Sequence, residues 1–185
     1  MLTRAAFLRS RTSVDHEAVE ARLTALRPFA TRARYGLFLR AQLRFHRHVE
    51  PLYRQGLLAG DGHCSRLAQV EADLIDLGHE PAGQEAGAAM PMPAAAGWLY
   101  VAEGSKLGAA ILFKAAAALG LDAGFGARHL AGQGEARARA WRRFTDALNA
   151  LDLTPAEDER MAVAAVAAFG FFAAGMEQAF AGAEG

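Results

Sequence analysis

The chain has 185 residues, 52% of them hydrophobic and 22% charged, which suits one domain around its own core, leaves no room for a multidomain assembly and is too apolar for a disordered chain. Twenty Lys plus Arg balance twenty Asp plus Glu, so nothing in the charge recommends nucleic acid or an anionic membrane as partner. No uninterrupted apolar run reaches the ~18 residues needed to cross a bilayer, and the single Cys64 can neither close an internal disulfide nor build a multi-thiolate metal site; a cytoplasmic protein is expected.

Alanine is abundant and β-branched residues are scarce, so helix is favoured throughout and an all-α fold is expected, one domain over residues 1–185. The Arg-rich first fourteen residues run straight into helical periodicity and read as helix rather than as a transit peptide. A first helix is expected from about Leu2 to Leu26, with Leu8, Thr12, His16, Val19, Leu23 and Leu26 on one stripe, ended by Pro28. Thr31 caps a second helix carrying Tyr35, Leu39, Gln42, His46, Val49 and Tyr53 on one stripe, and Pro51 predicts a kink or break in it. Residues 56–65 read as a loop. Ser65 is placed to cap a third helix with Leu67, Val70, Leu74 and Leu77, stopped by Gly78.

Residues 80–96 hold three prolines and little periodicity, which suits a packed loop or a short helical turn. The next helix runs from near Pro93 to Gly120 and carries Gly97, Gly104 and Gly108 on one face. A glycine-rich basic stretch with His129 follows, then an amphipathic helix marked by Trp141, Phe144, Leu148 and Leu151. Thr154, Pro155 and Glu157 spell a capping box that opens a last helix with Val166, Phe169, Met176 and Phe180 on its stripe.

His16, Gln42 and His46 stand where a plain bundle would place Leu or Val, so each needs a polar partner or a ligand. Glu20 lies four residues after His16 on the same face; bonded to one ring nitrogen, it would leave the other as a neutral donor for a metal or haem iron. Arg9 is two turns before His16, about 10 Å along the axis, where a cation can meet a ligand carboxylate. The glycines each cost up to about 1 kcal/mol of helix stability relative to alanine. Close helix packing accounts for them as well as a flat ligand lying on bare backbone does. A carboxylate-bridged di-iron bundle needs Glu-x-x-His pairs on facing helices, and the sequence has none.

The run GWLYVAEGSKLGAAILFK at 97–114, with GARHLA at 126–131, LNALDLTP at 148–155, LRSRTSVDHEAVE at 8–20 and FLRAQLRFHRHVE at 38–50, resembles the bacterial haem oxygenases that degrade haem for iron. The resemblance covers almost the whole chain in order. It implies a helical bundle holding haem b, at once substrate and cofactor, between the first, proximal helix and a kinked glycine-rich distal helix. O2 and an external electron donor, a ferredoxin or flavoprotein reductase, complete the reaction, whose products would be biliverdin, CO and ferrous iron. Residue by residue, His16 matches the iron ligand, and Glu20 the acid orienting it. Gly104, Ser105 and Gly108 match the distal helix, and Gln42 and His46 the anchors of distal water. Arg9 and Tyr100 match the propionate contacts, implying cleavage at the α position, and Phe169 matches an aromatic haem contact. Lys106 stands where the family carries a small polar residue. A haem carrier or sensor on the same fold is the alternative. Arg128 and His129 are expected to tie their loop to the helices, Trp98, Phe113 and Trp141 to pack the core or haem wall, and Arg137, Arg139, Arg142 and Arg143 to form a solvated helix face in preference to the alternative, a docking face for the electron donor.

Overall fold

Among the described residues six helices form: α1 (Arg4–Leu26), α2 (Arg32–Arg54), α3 (Leu67–Asp76), α4 (Ala94–Ala117), α5 (Gly134–Ala150) and α6 (Pro155–Ala181). The structure, a computed structural model, describes residues 2–56, 58, 64–83, 86–132 and 134–182. Among them no strand forms; Asp122 and Gly126 make an isolated bridge. Most of the loop expected at 56–65, including His63, lies outside the described residues.

The helix ends follow local chemistry. Thr3, Thr31 and Thr154 accept from the backbone N–H groups of Ala6, Arg34 and Glu157, and Glu157 answers Thr154 in a complete capping box. The Ser65 hydroxyl accepts from Leu67 N–H at 3.1 Å, so α3 starts as expected. Arg4 reaches the Asn149 and Leu151 carbonyls at 3.0 and 2.5 Å and Asp158 at 2.6 Å, fastening α1 to the α5–α6 joint and placing a cation at the α5 C-terminus.

Of the kink or break expected at Pro51, the break does not occur: α2 continues through it to Arg54. A proline cannot donate to the carbonyl four residues back, here that of Arg47. Gly87 N–H donates to that carbonyl at 3.1 Å instead. The 80–96 connection is thus a packed loop where it meets α2, and a Cβ on Gly87 would lie 2.1 Å from the His48 carbonyl oxygen, so only glycine permits this approach.

Helix α6 is the hub, packed against α1, α2 and α4. By length and composition it alone among the described helices could cross a membrane, but here it is covered on several sides by other helices. Two buried clusters lie around it. One joins Leu8, Phe45, Val49, Trp98, Ala102, Phe144 and Ala165; the other joins Tyr35, Phe38, Leu43, Ala109, Met176 and Phe180. Gly97 serves the first cluster: a Cβ there would lie 2.2 Å from the Met161 carbonyl oxygen, so α4 and α6 approach through bare backbone. Gly97→Ala is expected to destabilise the fold by about 2 kcal/mol through overpacking, read as a lower urea midpoint; an unchanged midpoint would show that the two helices part without cost.

Candidate active site

His16 and the Gly104–Gly108 stretch fall at the level between the two buried clusters. On α1, Leu8 belongs to the first and Leu23 packs on the second; on α4, Ala102 belongs to the first and Ala109 to the second. Helices α1 and α4 both pack on α6 but scarcely touch each other. Tyr100 on α4 interacts with Thr12 on α1. Thr12 is 3% exposed, whereas the His16 side chain one turn on is 60% exposed. The stripe of α1 is therefore buried at its start and open at His16, which explains why a histidine occupies a position that a closed bundle would give to leucine.

The Gly104–Gly108 stretch of α4 is bare. A Cβ on Gly108 would meet nothing within 4 Å, and one on Gly104 only the Trp141 ring at 3.6 Å. Of the three helical glycines, Gly97 thus follows the packing explanation and Gly108 does not. Helix α4 runs unbroken through all three. Ser105 is exposed on this stretch; its hydroxyl donates to the Ala102 carbonyl at 2.8 Å and accepts from Arg66 at 3.1 Å.

The other site candidates lie on α1, α2, α4 and α6. The Phe169 ring on α6 meets the His16 ring edge-on, with centroids 5.9 Å apart. Glu20 stands 3.7 Å from His16 Nδ1, in ion-pair range but too far for a hydrogen bond. Arg9, exposed on α1, lies near enough to Tyr100 to favour its phenolate, although burial outweighs this and pushes the Tyr100 hydroxyl up. Gln42 on α2 is half-buried, and His46 is fully buried with Nδ1 lacking a hydrogen-bond partner. No hydrogen bond joins Gln42 to His46, so the pair is not self-satisfied and retains capacity for water or ligand.

Behind these residues lies a polar layer that the sequence reading largely missed. Asp73 on α3 accepts from His129 Nδ1 at 2.7 Å and from the backbone N–H groups of Arg128 and His129. Arg128 also pairs with Asp76, so GARHLA ties its loop to α3 as expected. Asp73 could have been noticed as an acid beside the apolar stripe of α3; Arg66, Tyr53 and Glu103 carry no such mark. His129 Nε2, like His46 Nδ1, is buried without a partner. Burial, reinforced by Arg66, holds both imidazoles well below the usual histidine range for His46 and below it for His129, where Asp73 pulls the other way.

Both histidines are therefore neutral in the folded chain near pH 7 and take up a proton on unfolding once the pH falls below about 6.5. More protons are then bound by the unfolded state, so stability falls as pH falls from about 6.5 towards the depressed folded values, at up to ~1.4 kcal/mol per pH unit per histidine. Urea unfolding at pH 7.5 and 5.5 reads this loss, and His46→Leu halves the slope; equal stability at the two pH values would mean that the imidazoles titrate normally.

An exposed imidazole on α1 and a side-chain-poor stretch on α4 are the features that a broad, flat, largely apolar ligand held between the two helices would use. No group of three or more His, Cys, Asp or Glu that could hold a metal occurs among the described residues, so an iron here would arrive with its own ligand frame.

The family model for heme oxygenases matches residues 3–178. The chain is 42% identical over 177 residues to heme oxygenase PigA of Pseudomonas aeruginosa, covering 92% of this chain and 89% of that one. Its fold matches a crystal structure of the NO- and CO-bound heme oxygenase from Neisseria meningitidis with a TM-score of 0.90 at 35% identity, covering 98% of this chain and 94% of the other. With its all-α fold, a family-model match over residues 3–178 and a relative 42% identical across most of both chains, the chain belongs to the heme oxygenase family of haem-degrading enzymes.

Proposed function

We propose that this chain, acting as a single domain in the cytoplasm, seats haem b between α1 and α4, with His16 as the iron ligand, and opens the ring at the α-meso carbon to give biliverdin, CO and ferrous iron. The observation that carries this reading is the pairing of an exposed His16 on α1 with open space beside Gly108 on α4. Haem supplies the iron at which O2 is reduced, and the protein supplies orientation and polarity.

His16 offers iron one ring nitrogen; Glu20, within a side-chain rotation of the other, fixes ring orientation. Phe169 packs against the imidazole edge and forms part of the haem floor. Gly104 and Gly108 admit the ring face closely, and their lack of side chains keeps foreign acids and bases off the reacting edge. Ser105 is held by Arg66 and the Ala102 carbonyl. Gln42 and the neutral His46, with its unpartnered Nδ1, anchor water that carries protons to the distal side. Arg9 and Tyr100, on adjoining faces of α1 and α4, receive the propionates, a cation and a hydroxyl donor matched to carboxylates. Electrons come from a ferredoxin or flavoprotein reductase.

Seating the propionates on Arg9 and Tyr100 fixes the rotation of the ring and therefore which meso carbon is presented. The expected product of purified chain with haem, O2 and ascorbate is α-biliverdin, identified by chromatography against the four isomers, and Arg9→Ala combined with Tyr100→Phe is expected to yield a mixture. A parent reaction giving β or δ isomer would remove this seating; intact haem at the end would leave a carrier.

A further inference from the structure

Three residues of α4 next to the glycines are bound to three different parts of the fold. Lys106 Nζ donates to Glu103 Oε1 at 2.5 Å and to the Cys64 carbonyl at 3.0 Å, and it lies over the Tyr53 ring, 5.4 Å from the centroid. The Tyr53 hydroxyl on α2 donates to the same Glu103 oxygen at 2.7 Å. Ser105 is engaged by Arg66, which also donates to the His129 carbonyl at 2.8 Å. The Glu103 side chain is 2% exposed and that of Lys106 18%, so the pair is screened little and its hydrogen bonds to charged groups are stronger than surface ones.

These contacts act where α4 is softest. Gly104 and Gly108 bring more backbone freedom than any other residue would, and open space beside Gly108 leaves that turn without packing on one side. A helix loosened in this way needs another agent to fix its height and tilt. Lys106 is the residue that joins α4, the ring of α2 and the segment before α3 at one point.

We propose that Lys106 is a positioning residue: through Glu103, Tyr53 and the Cys64 carbonyl it pins the bare Gly104–Gly108 stretch of α4, and so sets the distance between that wall and the haem face. It touches no reacting atom. The tether stands on contacts of the chain itself; its effect on turnover rests on the reading given under Proposed function.

Removing Lys106 alone takes the cation away from the buried Glu103 carboxylate, which destabilises the chain for an unrelated reason. The informative variant is therefore Glu103→Gln with Lys106→Met, which removes both charges, compared with Tyr53→Phe and with Lys106→Arg. Hydrogen exchange on the haem-free chain reads the tether. The double variant is expected to speed exchange of the 104–111 amides by at least about tenfold while the α6 amides at 161–176 keep their protection, and Lys106→Arg is expected to restore most of it. On haem-loaded protein the double variant lowers kcat with KM for haem unchanged. Unchanged exchange at 104–111, or a rise shared evenly by α4, α5 and α6, overturns the proposal. Faster local exchange with unchanged kcat would leave a tether that does not position the reaction and overturns it too. Failure of the parent chain to degrade haem would instead sink the catalytic reading, with the exchange result still deciding the tether.

Discussion

His16→Ala is expected to abolish haem turnover while leaving the haem-free fold within about 0.5 kcal/mol of the parent, as for a surface change. The asymmetry follows from where the ring sits. Its side chain is 60% exposed, its pairing with Glu20 at 3.7 Å is too long to be a hydrogen bond, and its one ring contact is the edge of Phe169. Little of the apo fold depends on it. A partner that merely orients a metal-bound imidazole is worth roughly 10–100-fold in metal affinity, so loss of the imidazole itself costs at least that, and Glu20→Gln falls inside that range. Titration followed by the Soret band reads affinity, and free imidazole added to the His16→Ala protein should recover part of the ferric spectrum. Biliverdin formed at the parent rate by His16→Ala would remove His16 as ligand.

Gly108→Leu reverses the usual relation between a core-like site and stability. The Cβ enters open space, and leucine is favoured over glycine in a helix by up to about 1 kcal/mol, so the haem-free variant should be as stable as the parent or more so. With haem, the added side chain stands in the slot: affinity falls, turnover falls by at least about tenfold, and the ring tilts enough to alter the absorption spectrum. Gly97→Ala, two to three turns earlier on the same helix, behaves in the opposite way, because there the Cβ meets the Met161 carbonyl. Denaturation and haem titration on the two variants side by side separate packing from ligand space. Normal turnover in Gly108→Leu would show that haem does not lie against Gly108.

That contrast also marks how far the sequence could be read. Periodicity, Thr31 as cap and the Thr154–Glu157 box are local signals, and the helices form where those signals lie. His16 was conspicuous because a polar residue on an apolar stripe requires a reason. Which glycine packs and which faces a slot was not legible: Gly97 and Gly108 look alike until the Met161 carbonyl arrives from α6. That α2 continues unbroken through Pro51 was not legible for the same reason, since the group that satisfies the Arg47 carbonyl is Gly87, forty residues away in the chain. The polar layer of Tyr53, Arg66, Asp73, Glu103 and His129 draws on four elements. Arg66 and Glu103, read alone, resemble surface side chains, and only the assembled bundle reveals that they meet Tyr53, Asp73 and His129 beside the glycine stretch of α4.

The most direct measurement is the position of iron, located by anomalous diffraction from crystals of the haem-loaded chain. Iron bonded to His16, with the backbone of Gly104 and Gly108 across the opposite porphyrin face, is the expected result. Iron on His46, His48 or His79, or a porphyrin lying outside the opening between α1 and α4, would contradict it.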